Sequence, residues 1–226
     1  MNFEERRSAD PQARFTDWLR DGAEPHWTRM TTHRFARELG AGTLDDAVAA
    51  RYLVQYYAFV NSFVALLGYA IAYAPSMPSK RQFAQFAAAV TADENDFFLR
   101  SFKELGVPEA TWKTPELGPV TRDFIDLLQS AGRSGSYAQV LSVLSAAEWS
   151  YLTWAKACPA QRPRQFWLAE WIELHAIPPF EAFVMWLRDE TDRIGTPADE
   201  ETRRIMAGNF RRMMELEEAF FEAAYG

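Results

Sequence analysis

The stretch from Ser136 to Ala155, SYAQVLSVLSAAEWSYLTWA, constrains the fold more than any other part of the chain. Read as a helix, it is apolar on every side except for one carboxylate, Glu148. A helix without a polar face has to lie in the middle of a protein or in a bilayer. An ionised carboxylate carried there alone is costly, so Glu148 has to be paired, hydrogen-bonded or held protonated with a raised pKa. One reading is a buried glutamate satisfied by an arginine or tyrosine from a neighbouring helix. The other is a site, and its neighbours favour that: Tyr151 follows three residues on, on the same side of the helix, with Trp149 and Trp154 close by. One turn then offers an acid, a phenol and flat ring surfaces.

The remaining composition narrows the classes. The chain has 226 residues, 48% of them hydrophobic, enough for a sizeable core, and we read residues 1–226 as one domain. A formal charge of -7 with no Lys/Arg cluster argues against nucleic acid as a partner. The arginines between Arg203 and Arg212 alternate with apolar residues at helical spacing and read as a solvated face. The single cysteine, Cys158, fits a reducing compartment, and the N-terminus lacks the apolar core of a signal peptide, so a cytoplasmic location is expected. From Tyr52 to Ser79 there is no charged residue, long enough for a membrane span. Its five tyrosines are spread along its length instead of gathered at the ends, which favours a second central helix of a soluble bundle, packed beside the Glu148 helix.

Taken in order, the pattern predicts helical segments from Ala13 to Met30, weakened at Gly22 and Pro25, and a long helix capped by Thr43, with Asp46 three residues later, that runs to about Ala74. A third helix runs from Lys80 to Leu105, amphipathic through Phe83, Phe86 and Val90 and then acidic at Asp93, Glu94 and Asp96. A loop with a short turn around Trp112 leads to a helix from Thr121 to Ser130, then to the Glu148 helix. Segments from Arg164 to His175 and Phe180 to Ile194 follow, and a last helix capped by Thr196 reaches Tyr225. Period-two alternation is missing, so the expected fold is all-α, a compact bundle of about seven to nine helices with antiparallel neighbours.

Known chemistries are poorly supplied. The three histidines, His26, His33 and His175, do not make the Glu-x-x-His pairs of carboxylate-bridged bundles; His175 with Glu148 and Glu217 is a sparse set, and no metal or other cofactor is expected. Cys158 lies at a helix exit, where the partial negative charge of the helix end disfavours thiolate. What remains is a carboxylate and aromatic pocket. Glu217 lies on the last helix with Phe220 and Phe221 on its side. Should Glu148 and Glu217 converge, repulsion raises one pKa and leaves the other ionised, an acid and base pair suited to a small heteroaromatic ring.

Several segments in unbroken order resemble the TenA family, the thiaminase II and aminopyrimidine aminohydrolase group with a heme-oxygenase-like all-helical fold. His33-Arg34-Phe35, Gly42-Thr43-Leu44 and Gln55 resemble its HPF, GTL and Q opening. Ala147 to Tyr151 resembles its PCxWxY segment, Trp167 to Trp171 its WIxxY, and Glu217 to Tyr225 its ExxFWxxAY. The family's catalytic cysteine falls on Ala147, its pyrimidine-binding aspartate on Tyr56, a tyrosine three residues later on Phe59 and a later pocket tyrosine on Trp171. Tyr151 and Glu217 match in kind. The chain is therefore more similar to the branch that lacks the cysteine and uses glutamate.

The resemblance implies a hydrolase of thiamin pyrimidine salvage or of a related small amine. Glu148 would then serve as general acid/base or activate water, Glu217 would orient and protonate the leaving amine, and Tyr151 would hydrogen-bond. Tyr56, Phe59, Trp171, Phe220 and His175 would contact the ring. It also implies a homodimer or homotetramer, with neither nucleic acid nor membrane as a partner. The alternative is a binding protein that has kept the cavity and lost the chemistry along with the cysteine and aspartate.

Overall fold

The computed structural model describes residues 2–226, and no strand occurs among them. In chain order the helices are α1 (Phe3–Ala9), α2 (Phe15–Gly22), α3 (His26–Thr31), α4 (Arg34–Ala41), α5 (Asp46–Tyr73) and α6 (Met77–Ala89). A π-helical turn, Val90–Glu94, joins α6 to α7 (Asn95–Glu104). Then come α8 (Glu109–Lys113), α9 (Pro119–Arg133), α10 (Tyr137–Ala157), α11 (Phe166–Leu174), α12 (Pro178–Gly195) and α13 (Glu200–Ala223). The all-helical bundle is the one expected, divided more finely than into seven to nine pieces. The surplus comes from short helices such as α1, α3, α4 and α8, and from the break at Val90–Glu94 in what had read as one helix.

Helix α10 is the axis. Sixteen of its 21 residues are buried, and it packs against α13, α12, α5, α9 and α3. Its serines are tolerated there because each hydroxyl finds an acceptor: Ser142 donates to the Gln139 carbonyl, Ser150 donates to the Ala147 carbonyl, and Ser145 shares a hydrogen bond with Thr191. Helix α5 is long and apolar enough to cross a membrane by length and composition. In the bundle it buries Tyr52, Leu53, Phe59, Leu66, Leu67 and Ala70, lies mainly against α9 and α6, and leaves Asn61, Ala65, Gly68 and Ala72 exposed. It touches α10 through the Tyr52 and Tyr151 hydroxyls, 2.8 Å apart.

Two expected caps move. Gly42 takes the left-handed conformation (φ 69) at the end of α4, and the Thr43 and Leu44 N–H groups turn back to donate to the Glu38 carbonyl. Thr43 therefore closes α4, and Asp45 caps α5 by accepting from the Ala47 N–H. Thr196 likewise continues α12, its N–H donating to the Asp192 carbonyl, while Asp199 accepts from the Thr202 N–H and caps α13. The motif residues His33 and Gln55 also prove architectural. His33 Nδ1 accepts from the Phe35 N–H at the start of α4. Gln55 pins the segment before α9, accepting from the Gly118 N–H and donating to the Glu116 carbonyl.

Close approach of α12 to α2 depends on a missing side chain. A Cβ built on Gly195 would lie 2.1 Å from Cε1 of Phe15, a ring with no exposed surface. Gly195→Ala is expected to lower stability by about 1–3 kcal/mol, a drop of several degrees in Tm for a chain of this size, and Phe15→Leu in the same chain to restore part of it. An unchanged Tm in the single variant would contradict the packing described.

Candidate active site

A cavity of about 440 Å³ opens between α5, the end of α6 with its π turn, α10, and the turn joining α11 to α12. Its apolar walls include Phe63, Phe86, Phe180, Phe183 and Trp186, with Phe86 stacked on Phe183 at a centroid distance of 4.1 Å. Its polar groups are Tyr56, Gln82, Gln85, Asp93, Glu94, Glu148 and His175; neither lysine nor arginine lines it. A larger surface groove of about 1070 Å³, along Gln55, Pro108 and Thr121, holds none of the buried glutamates.

Glu148 reaches this cavity from α10. It is 7% exposed and forms no hydrogen bond or ion pair among the described residues. Burial lifts its pKa well above the ordinary carboxylate value, and repulsion from Glu94 and then Glu217 adds to the rise. Burial and repulsion together favour the neutral carboxylic acid, the form able to donate a proton. Elsewhere in the molecule Glu190, 6% exposed, accepts from Ser79, Tyr137 and Arg193, and its pKa falls despite burial because these donors outweigh desolvation. A glutamate buried for architecture is partnered in this way, and Glu148 is not.

His175, at the end of α11, is the second defined group. Its Nδ1 lies 2.8 Å from the Trp171 carbonyl, which can only accept, so Nδ1 carries the proton. Burial brings the pKa down to about 4, so the ring is neutral and Nε2 keeps its lone pair as an acceptor.

Among the residues singled out from sequence, Tyr56, Glu148 and His175 line the cavity, whereas Tyr151, Trp171, Phe59, Phe220 and Glu217 do not. The latter form a packed layer behind it, joined through Tyr56. The Tyr56 ring lies 4.5 Å from Phe59, 4.9 Å from Trp171 and 6.0 Å from Tyr151 between centroids, and Phe220 lies 5.5 Å from Phe59. Glu217, 3% exposed, is lifted by burial to about 8, the Tyr151 phenol offsetting part of the rise. Repulsion does load onto Glu148, as a converging pair requires. Glu217 does not remain an ordinary ionised partner, because it is buried too.

Two residues escaped the sequence reading. Tyr52 is one: fully enclosed, it bridges α5 to α10 at Tyr151, and burial raises its phenol pKa far above normal. Glu94 is the other. It falls four residues after Val90 and three before Phe97, both buried, and so sits on the apolar stripe of its segment. That placement was the available signal; the run Asp93, Glu94, Asp96 concealed it by resembling a solvated face. Cys158 is half-buried, its thiol pushed up by burial, and lines no part of the cavity. Among the described residues no three His, Cys, Asp or Glu side chains are grouped closely enough to hold a metal ion.

The fold is an all-helical bundle with a cavity beside its central helix. Residues 20–226 match the model of the TENA/THI-4/PQQC family, and the chain belongs to it. It is 21% identical over 214 residues to an aminopyrimidine aminohydrolase of Halalkalibacterium halodurans, covering 93% of this chain and 95% of that one. To the enzyme of the same name from Helicobacter pylori it is 20% identical over 213 residues, covering 93% and 98%. Among solved structures, a TenA homologue from P. horikoshii OT3 superposes with a TM-score of 0.83 at 20% identity, covering 94% of this chain and 99% of that one. One from Pyrococcus furiosus gives 0.82 at 20% identity, covering 93% and 100%. These likenesses establish the fold.

The raised carboxyls make stability depend on pH in a defined direction. Between the ordinary value of 4.5 and about 8, folded Glu217 holds a proton that the unfolded chain has released. Its contribution is complete below the lower value and lost as pH rises through the upper one. Glu217→Gln, permanently neutral, is expected to melt on the order of a few degrees above the wild-type chain at alkaline pH and level with it in acid. Parallel melting curves across the range would show that Glu217 is not buried as described.

Proposed function

We propose that this chain hydrolyses the carbon–nitrogen bond of a small aromatic amine of the aminopyrimidine type, in thiamin pyrimidine salvage, with glutamate chemistry in place of a cysteine thiolate. The observation that carries the reading is Glu148: an unpartnered carboxyl, held toward its neutral form by burial, on the wall of an aromatic cavity without lysine or arginine. Family membership and relatives named aminopyrimidine aminohydrolase support the reaction class. With Ala147 at the family's cysteine position and Cys158 outside the cavity, no thiol is available to attack the substrate.

The flat ring lies between the aromatic walls, where Phe86, Phe180, Phe183 and Trp186 exclude water and position it. His175 Nε2 accepts a hydrogen bond from a ring amino group. Water attacks the carbon bearing the amine, the carbon–nitrogen bond breaks, Glu148 gives its proton to the departing nitrogen, and the proton released by the water restores Glu148, yielding an alcohol and ammonia. Glu217, behind the wall, acts through Glu148: its negative charge in the ionised form discourages loss of the Glu148 proton. Tyr52, Tyr56 and Tyr151 hold α10, which carries Glu148, in register with α5.

Glu148→Gln keeps the shape and removes the transferable proton. Ammonia release from an amine-bearing aminopyrimidine is expected to fall by about 10²–10⁴-fold, with Tm at or above that of the wild type because a buried ionisable group has gone. Retention of the wild-type rate would remove Glu148 from the chemistry.

A further inference from the structure

Proton donation to the departing nitrogen is half of a hydrolysis; the attacking water has to lose a proton as well. We propose that Glu94 is the base that takes it, a second catalytic carboxylate brought to the cavity by the π turn, an assignment that rests on the hydrolytic reading above.

Three observations meet at this residue. Glu94 closes the π turn and lines the same cavity as Glu148 and His175, beside Val90, on a stripe that continues into the buried Phe97. Wide helical turns of this kind are rare and occur often at functional sites. Its carboxylate forms no hydrogen bond or ion pair among the described residues, unlike the fully partnered Glu190. Finally, the Glu94 charge repels the ionised form of Glu148 and those of Tyr52 and Tyr56, so the two carboxyls share one electrostatic environment.

That environment divides the labour. Facing Glu94 are Tyr52 and Tyr56 from α5, Glu148 from α10 and His175 from the end of α11, with Asp93 beside it on its own turn. Glu148, already desolvated, is repelled by both Glu94 and Glu217, which disfavours its ionised form further. Glu94 carries no such repulsion and is lifted by desolvation alone, to about 8. In the reaction the water oxygen bonds to carbon while its proton passes to the Glu94 carboxylate. The carbon–nitrogen electron pair leaves with nitrogen, which takes the Glu148 proton. The two acids finish with their protonation exchanged, and transfer from Glu94 back to Glu148 resets them. The base is active only when ionised, so turnover rises with pH through about 8.

The test is ammonia release by the full-length chain from a panel of aminopyrimidines carrying a free amine, measured against pH for Glu94→Gln, Glu94→Asp, Glu148→Gln and the exposed control Asp96→Asn. Glu94→Gln is expected to lose about 10²–10³-fold in turnover together with the alkaline rise, while melting no lower than wild type. Glu94→Asp keeps the rise at a reduced rate, and Asp96→Asn behaves as wild type. A wild-type rate and pH profile in Glu94→Gln, with Glu148→Gln inactive, overturns the role of Glu94 and leaves the hydrolytic reading standing. A wild-type chain that releases no ammonia from any member of the panel overturns both.

Discussion

The cavity chemistry depends on the free energy required to keep Glu148 away from water. Its helix is buried along most of its length, so the side chain has two ways to exist there: ionised with partners, or neutral without them. No partner is provided, and two further carboxyls stand within electrostatic reach. The neutral form follows, and with it a group that can give up a proton to a guest. Binding of an amine would reverse the balance, because a positive charge in a site without lysine or arginine stabilises whichever carboxylate loses its proton.

Comparison of buried glutamates within one molecule separates scaffold from site. Glu190 ties α12 to α6 and α10 through a serine, a tyrosine and an arginine, and its charge is satisfied. Glu94, Glu148 and Glu217 are left short of donors and titrate high. Leaving three such groups unsatisfied destabilises the fold, and a functional return is the physical reason to retain them. The aromatic layer of Tyr52, Tyr56, Tyr151 and Trp171 fills the space behind them, so the acids sit on rigid helices instead of loops.

The helical class and the central position of α10 were legible because an all-round apolar segment of that length has few other uses. Glu148 was legible for the same reason, as the single charge in it. Cap positions were harder. Thr43 and Thr196 have the right chemistry, yet the competing backbone hydrogen bonds that end α4 and α12 draw them into the preceding helix. Glu94 was harder still, since in one dimension an acid on a buried stripe looks like its solvated neighbours Asp93 and Asp96. Only the path of the chain past α10 separates them. The split of the site residues into cavity wall and supporting layer depends on side-chain directions at four helices, α5, α10, α11 and α13, which spacing along one helix does not encode.

The central claim is that Glu148 carries its proton at neutral pH inside a cavity without lysine or arginine. Infrared difference spectroscopy of the carboxylic-acid carbonyl band, comparing the wild-type chain with Glu148→Gln, measures this directly. A buried acid band present at neutral pH and missing from the variant is the predicted result. A wild-type spectrum in which that band has already given way to ionised carboxylate below neutral pH would contradict the account.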